Sequence, residues 1–556
     1  FHKRCERMSA RVSDFFGTHY TQVIDALAGI IILFVVFLRI LPSLLIGAPF
    51  LPDPWVHIGK ADSLLQTGHF FIWGDYDDHW PGVNILIALF RLFPGFDPVI
   101  VGQLVVPLLT GLSLVFFYLL VRHLTGNQVI AVVSLLLLGF AAPLTLIMGT
   151  TYKEGLARLF LMAALFAFVA RSERDVWHVV PVVVLVGAII PTHHISFLVA
   201  GSVIVFVMVS QQVFLLREGV LSWLKWGVQT SAYLLVLVVA LTYYLVFGAY
   251  SLLLLDARIL ATVLVGYFVV FGALNLRRIS LTKSSMTFKL LLLVLGLVLL
   301  GVFVAGIMLV PAFELTMLPL DTVLWLSPLA GLVLLGAFGY SVLDEVAPKL
   351  RIFLSSWILA LLGLLLLALV SGRSALSLIL TYRLVLFSFA PLCALAGVGV
   401  FGYVVTHPRQ TRIMQVLLLV TLLAVLPVVT LGFTRDSFFG YGCSVTLPIQ
   451  QSNNWIADYT EPTHTVVGDH LFTYYLLYYR DEPASVDLGY QLLVEGDLST
   501  AYSLVGVHRY LWDNGFWLQS GVQWVPLHPR VIPWLEESAA NGLIFNNGVV
   551  QIYRRI

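Results

Sequence analysis

Charge is what this sequence lacks. Asp, Glu, Lys and Arg make up 11% of its 556 residues, against roughly 25% in a soluble domain. A folded chain of this length could not cover its surface with so few charges, so an ordinary soluble enzyme is excluded. A disordered chain is excluded too, because 59% of the residues are hydrophobic and disordered chains are poor in them. Net charge is also missing: 31 Lys and Arg against 30 Asp and Glu leave +1, which gives no basic field for a nucleic acid. Cysteine is scarce. Cys5, Cys393 and Cys443 lie far apart with no CxxC or metal-type spacing, so a disulfide scaffold is excluded. There is no internal repeat and no low-complexity linker. The first apolar run is long enough to span a membrane and others follow it, so a cleavable signal peptide is not expected.

Long apolar runs are what the sequence has in abundance. Mean hydropathy is +0.95. A membrane span needs about 20 apolar residues at about 1.5 Å each. Such runs fall near 22–46, 97–122, 126–147, 154–171, 176–192, 195–216, 226–248, 256–277, 286–311, 321–344, 350–371, 377–404 and 410–433, about 13 helices in all. The loops alternate in charge. One set holds Arg4, Arg7 and Arg11, then Arg122, Arg171 and Arg174, Arg217 and Lys225, Arg277, Arg278 and Lys283, Lys349 and Arg351, and Arg409 and Arg412. The intervening loops hold Asp53, Asp75, Asp77, Asp78, Asp256 and Glu314. Positive loops stay in the cytoplasm, so the N-terminus is expected there. An odd span count puts the residues after 433 outside, in a multi-pass protein of the plasma membrane. The expected fold class is therefore an all-α polytopic membrane protein with a small extracytoplasmic C-terminal α/β domain, divided into residues 1–433 and 434–556. The tail mixes Asn, Asp, Gly, Pro and Trp with short β-like runs at 464–467 and 548–553. At roughly 120 residues it is long enough for its own core. The other segment outside the membrane is the loop 48–96, with a helix expected around 55–66, the stretch GDYDDHWPG and a short apolar stretch at 83–93.

Carboxylates are costly near lipid unless they are paired or used, and here they gather at the outer ends of the spans. PDPWVH places Asp53 just past the first span, between two prolines that restrict its backbone. GDYDDHWPG adds Asp75, Asp77, Asp78 and His79. Glu154 opens the fourth span in TTYKEGLARLF, and Glu314 follows the ninth in VPAFELTMLP. Carboxylates at several helix ends suit one hard divalent cation, Mn²⁺ or Mg²⁺, which takes oxygen ligands. Each also has a plainer reading. A loop Asp faces water or caps a helix, and Glu154 in a first turn is favoured by the helix dipole alone. His193 and His194, at an outer span edge, suit a metal, a phosphate or the interface itself. Arg383 in LTYRLVLFSFAP lies about two turns inside the outer end of its span. A guanidinium there either pairs with a carboxylate of a neighbouring helix or grips a phosphate bidentately; Lys153 and Arg158 add positive charge nearby. A cation at the outer surface with an Arg slightly within suits a lipid phosphate donor whose tail stays in the bilayer.

These residues, in this order, resemble the membrane glycosyltransferases of the C-type fold, most closely the single-subunit oligosaccharyltransferases of archaea and bacteria. The similarity covers the whole membrane region. Asp53-Pro54-Trp55 resembles the family's first acidic motif. Asp77-Asp78-His79-Trp80-Pro81-Gly82 resembles the later part of the same loop, and Tyr152-Lys153-Glu154-Gly155-Leu156-Ala157 the second acidic motif. Glu314 and Arg383 fall where the family has a loop glutamate and a phosphate-contacting arginine. The resemblance implies that Asp53, Glu154 and Glu314 hold the metal, with Asp77 or Asp78 as further candidates. It implies that Asp53 and Glu314 are the catalytic residues at the acceptor, that Arg383 binds donor phosphate with His193 and His194 beside it, and that Trp55, His57, His79 and Trp80 belong to the acceptor and donor loop. The partners implied are a polyprenyl-linked (dolichyl-type) phosphate or pyrophosphate sugar donor, a glycan, lipid or protein acceptor, and membrane lipids; an archaeal source is expected. The chain departs from the family at two places. Tyr152 stands where the second motif has its first acid. The Trp-Trp-Asp-Tyr-Gly motif that reads an Asn-x-Ser/Thr acceptor is replaced by VVGDHLFTYYLLYY, in which Asp469 is the remaining acid. Two rival readings stay open, a transporter or flippase of lipid-linked sugars and an inactive relative that serves as a binding subunit. The first calls for charged or broken helices in two related halves, a pattern the sequence does not show.

Overall fold

The computed structural model describes residues 2–69, 76–93, 95–141, 148–170, 179–217, 223–247, 332–343, 346–370, 375–406, 445–518 and 523–555. The expected spans 256–277, 286–311 and 410–433, half of 321–344, and the candidates Asp75 and Glu314 lie outside the described residues, as do Asp256 and Cys443. The chain is mainly helical. Its helices are α1 (His2–Ile46), α2 (Asp53–Thr67), α3 (Gly82–Leu92), α4 (Pro98–Thr125), α5 (Gln128–Gly139), α6 (Lys153–Ala170), α7 (Val179–Ile189), α8 (His194–Arg217), α9 (Trp223–Val246), α10 (Pro348–Val370) and α11 (Ala375–Thr406). Among the described residues, Thr21–Ile46, Pro98–Thr125 and Leu386–Val404 are long and apolar enough to cross a membrane. Several other expected spans are shorter apolar helices, such as α5 and α7. At about 1.5 Å per residue α7 is too short to cross on its own.

Helix α1 shows why this is a membrane protein. Ile24, Ala28, Ile31, Val35 and Leu38 form its buried face, while Val23, Leu27, Ile30, Phe34 and Phe37 are exposed. Both faces are apolar, as a helix between protein and lipid requires. Helix α9 repeats the pattern, with Tyr233, Val236, Ala240 and Tyr244 inside and Leu234, Leu237, Val238 and Leu241 outside. The helices meet through small or polar contacts that suit an apolar solvent. Gly397 of α11 lies against Ser134 of α5 with no room for a Cβ, and the hydroxyls of Ser210 and Ser356 hydrogen-bond at 2.7 Å between α8 and α10. One end of the bundle is tied by Asp25, which accepts from Arg122 at 2.8 Å and from the Tyr118 hydroxyl at 2.6 Å. Helix α1 then rises about 30 Å to Ile46, and the acidic motifs lie at that far end.

Residues 445–555 form an α/β unit. It consists of α12 (Leu447–Tyr459), β1 (Val466–Val467), α13 (His470–Tyr474, continued by a π-helical turn Tyr475–Tyr479), β2 (Ala484–Ser485), α14 (Val486–Leu493), β3 (Leu504–His508), α15 (Arg509–Asn514), β4 (Phe516–Leu518), β5 (Gln523–Val525), α16 (Val531–Asn541), β6 (Leu543–Asn546) and β7 (Val550–Arg554). The main sheet runs β2-β1-β3-β7-β6; β1 is parallel to β2 and β3, and β7 is antiparallel to β3 and β6. The expected β-like runs are therefore β1 and β7. Their side chains feed a core of Val467, Leu492, Val505, Val507, Leu511, Phe516 and Tyr553. The unit is seated on α2. Trp55 lies between the rings of Tyr475 and Tyr479, with centroids at 4.7 and 5.2 Å. Gly59 lies so close to the Tyr478 carbonyl that no Cβ fits.

Candidate functional site

The site is built around the start of α6. The turn that precedes it is fixed to α4: the Thr110 hydroxyl donates to the Met148 carbonyl at 3.0 Å, and the Thr151 hydroxyl donates to the Gly102 carbonyl. Gly149 packs on the Arg39 carbonyl of α1 and Gly155 on Thr110, both too closely for a side chain. These contacts hold the first turn of α6 against α1 and α4, so that Lys153, Glu154 and Arg158 all point into the bundle and are buried.

Glu154, 1% exposed, receives an ion pair on Oε2 from Arg383 of α11, 229 residues away. This is the carboxylate anchor that a guanidinium inside a span requires. The other oxygen, Oε1, is buried with no hydrogen-bond partner among the described residues. One turn further on, Arg158 Nη1 donates to the Leu386 carbonyl of α11 at 3.0 Å, and its guanidinium lies over the Phe387 ring at 4.5 Å. Arg39, two turns before the end of α1, is 2% exposed and close enough to Arg158 for the two charges to act on one another. Its Nε and Nη1 are buried without partners among the described residues. Lys153 stands in electrostatic range of His194. Arg383 thus pairs with Glu154, Lys153 and Arg158 lie on the same helix as that carboxylate, and Arg39 lies near Arg158. Such a cluster is costly, several kcal/mol for each uncompensated buried charge, and it suits an anion with several acceptor oxygens.

The remaining candidates are placed around this cluster. Asp53 is the first residue of α2 and is half-buried. Asp78, a metal candidate in the sequence, is instead buried in an ion pair with Lys60 at 2.6 Å. That pair ties the 3₁₀ turn Tyr76–His79 to α2. The Asp77 side chain lies outside the description. Trp55, 1% exposed, and Trp80, fully buried, pack inside the protein. His57 is buried and hydrogen-bonds Asn84 at 2.9 Å. The His79 carbonyl accepts from the Tyr243 hydroxyl at 2.8 Å. His193 caps α8, its Nδ1 accepting from the Ser196 N–H at 3.2 Å, and His194 stacks on Trp80 at 4.7 Å. Among the described residues no three His, Cys, Asp or Glu side chains converge on one point. Sequence reasoning passed over Arg39. Its signal was the same as that of Arg383: a single guanidinium inside the apolar run FVVFLRILP.

In the α/β unit, Asp469 is fully buried and fully used. Oδ1 accepts from the Phe472 N–H at 3.1 Å and Oδ2 pairs with His508 Nε2 at 2.9 Å. His508 Nδ1 accepts from the Leu511 N–H at 3.2 Å, which places the ring proton on Nε2. The acid that remains of the family's acceptor-reading motif is therefore a structural cap.

No family model matches the sequence, and none of the curated proteins does. Several solved structures are similar, among them these two. One is the oligosaccharyltransferase of Archaeoglobus fulgidus, solved with a tethered acceptor peptide that contains an NVT sequon; identity is 14%, 90% of this chain and 70% of that chain are covered, and the TM-score is 0.53. The other is ArnT from Cupriavidus metallidurans in the apo state, at 14% identity over 97% of this chain and 98% of that one, with a TM-score of 0.39. Over nine-tenths of its length, this chain has the fold of the archaeal oligosaccharyltransferase that its acidic motifs already resembled.

Proposed function

We propose that this chain is a membrane glycosyltransferase of the C-type fold that takes its sugar from a polyprenyl phosphate- or pyrophosphate-linked donor. The observation that carries the reading is the meeting of Glu154 and Arg383. The resemblance assigned these two residues to the metal and to the donor phosphate, and they converge at the Asp53 end of the bundle. The donor's tail stays in lipid while its headgroup enters among the guanidiniums. Arg383 binds the phosphate as its C1–O bond breaks, and the growing charge on the leaving oxygen strengthens that contact. Asp53, with Glu314, takes up the acceptor's proton as the acceptor bonds to C1 from the opposite face, so the anomeric centre inverts.

A divalent cation belongs to the proposal. Asp53, Glu154 and Glu314 would hold Mn²⁺ or Mg²⁺, and the orphaned Glu154 Oε1 suits a hard cation. When bound, the ion supplies Lewis-acid charge at the leaving phosphate. In this reading the site lies on the outer face of the plasma membrane, with the N-terminus cytoplasmic and residues 434–556 outside, as the alternation of charged loops suggests. The burial of Asp469 in its pair with His508 argues against reading of a hydroxyl amino acid at that residue. The acceptor is then a glycan, a lipid or a protein site read in another way.

The test is transfer from radiolabelled lipid-linked sugars in native membranes, with and without Mn²⁺, comparing wild type with Asp53→Ala. Metal-dependent transfer that Asp53→Ala abolishes is expected, and the labelled product names the acceptor. No transfer from any lipid donor, or full activity in Asp53→Ala, would put the transporter or binding-subunit readings ahead.

A further inference from the structure

Two buried pairs among the described residues are complete: Lys60 meets Asp78, and Asp469 meets His508. Arg39 differs from them. Its guanidinium is 2% exposed, its Nε and Nη1 have no acceptor among the described residues, and the neighbouring charge that acts on it is another guanidinium, Arg158. A buried cation held beside a second cation without an anion costs stability. A side chain kept only for packing would be better replaced by Met or Leu. Buried guanidinium donors left open beside a second guanidinium describe a site whose missing member is a ligand rich in anionic oxygen.

We infer that Arg39 is a further donor-binding residue, whose guanidinium with that of Arg158 forms an inner cationic tier for the phosphate headgroup of the lipid donor, beneath the contact made by Arg383. The inference rests on the lipid-phosphate reading above and deepens it. Arg39 is on α1 and Arg158 on α6, whereas Arg383 is on α11, so the headgroup would join three helices. The Arg39 carbonyl fixes α6 through Gly149, and this backbone contact survives any change of side chain.

Thermal unfolding of the full chain in detergent tests the inference, with three probes at one concentration: a polyprenyl phosphate, the corresponding polyprenol and inorganic phosphate. Wild type, Arg39→Met and Arg39→Lys are compared. Wild type should bind the polyprenyl phosphate more tightly than the polyprenol. Arg39→Met should lose about tenfold or more of that preference, and Arg39→Lys should keep part of it. Without lipid, Arg39→Met should melt at the wild-type temperature or above it, because it removes an uncompensated charge. A structural arginine would do the reverse, with lipid-free stability falling and the preference unchanged, and that result would overturn the inference. Equal stabilisation by inorganic phosphate alone would overturn the lipid assignment. If wild type does not discriminate phosphate from alcohol, the donor reading itself fails. If wild type discriminates and Arg39→Met does so equally, this inference fails alone.

Discussion

Two buried acids make opposite use of their surroundings. Asp469, in the α/β unit, has each oxygen bonded, and its partner His508 is bonded at both ring nitrogens. Glu154, in the helical bundle, has one oxygen paired with Arg383 and the other without a partner among the described residues. Both acids are buried near helix starts. One arrangement is complete without a ligand and therefore reads as architecture. The other is complete only with one and therefore reads as a site. Protein interiors satisfy nearly all of their buried polar groups, so a cluster of unsatisfied ones marks where stability has been given up for binding.

Substitutions can break this contrast, and the largest effect is expected at Glu154. Glu154→Gln keeps the shape but removes the charge, and sugar transfer should fall by about 100-fold or more. Its unfolding temperature should move less than that of the Asp469 variants. Transfer within a few-fold of wild type would remove Glu154 from the site.

Asp469→Ala should do the reverse. It leaves the buried His508 Nε2–H without its acceptor, at a cost of about 1–3 kcal/mol, seen as a lower denaturation midpoint. His508→Ala should cost more, because it leaves a buried carboxylate unpaired, and the double variant should cost less than the sum of the two, because the pair acts as a unit. Additive losses would mean that the two residues serve separate contacts.

A smaller effect is expected where the two regions meet. Gly59→Ala puts a methyl into the Tyr478 carbonyl and should cost about 1–3 kcal/mol by overpacking. Protease nicking should then appear within residues 445–555 before the bundle itself unfolds. An unchanged digestion pattern would show that the α/β unit does not depend on its seat on α2.

The smallest effect is a dependence on alkaline pH. Burial, aided by the nearby Tyr479, pushes the Tyr475 phenol up to about 12, from an ordinary value near 10. The folded state therefore favours the neutral phenol. Its contribution is complete below pH ~10 and is lost as pH rises toward about 12. Tyr475→Phe should flatten the fall in stability across that window, as read by unfolding at a series of pH values. An identical fall in the variant would place the titration elsewhere.

Composition and charge patterning made the membrane class legible, because 11% charge leaves few other solutions. Glu154 and Arg383 were legible for the same reason, since a charge within an apolar run needs an explanation. Arg39 offered that signal equally and was passed over because no motif surrounds it. Their assembly was not legible: Glu154 and Arg383 are 229 residues apart, and only the packing of α6 on α11 brings them together. Trp55 and Trp80 carry family-like spacing, yet they pack inside, because the same aromatic that marks a motif also fills a core. Asp78 was a candidate ligand by type, and its pairing with Lys60 depends on how the loop folds back on α2. Asp469 kept its identity from the family's acceptor motif, but the partner that occupies it, His508, lies 39 residues on.

The contrast between the two acids is tested most directly by measuring transfer and unfolding together in Arg383→Gln and Asp469→Asn. Transfer is assayed from a radiolabelled polyprenyl-linked sugar, and unfolding is followed in the absence of lipid. Arg383→Gln should lose about 100-fold in transfer even at temperatures where it is folded, while Asp469→Asn should lose stability and keep its transfer rate at temperatures where it is folded. If both variants lose activity only in proportion to lost stability, the Glu154 cluster is architecture like the Asp469 pair, and the site must be sought elsewhere.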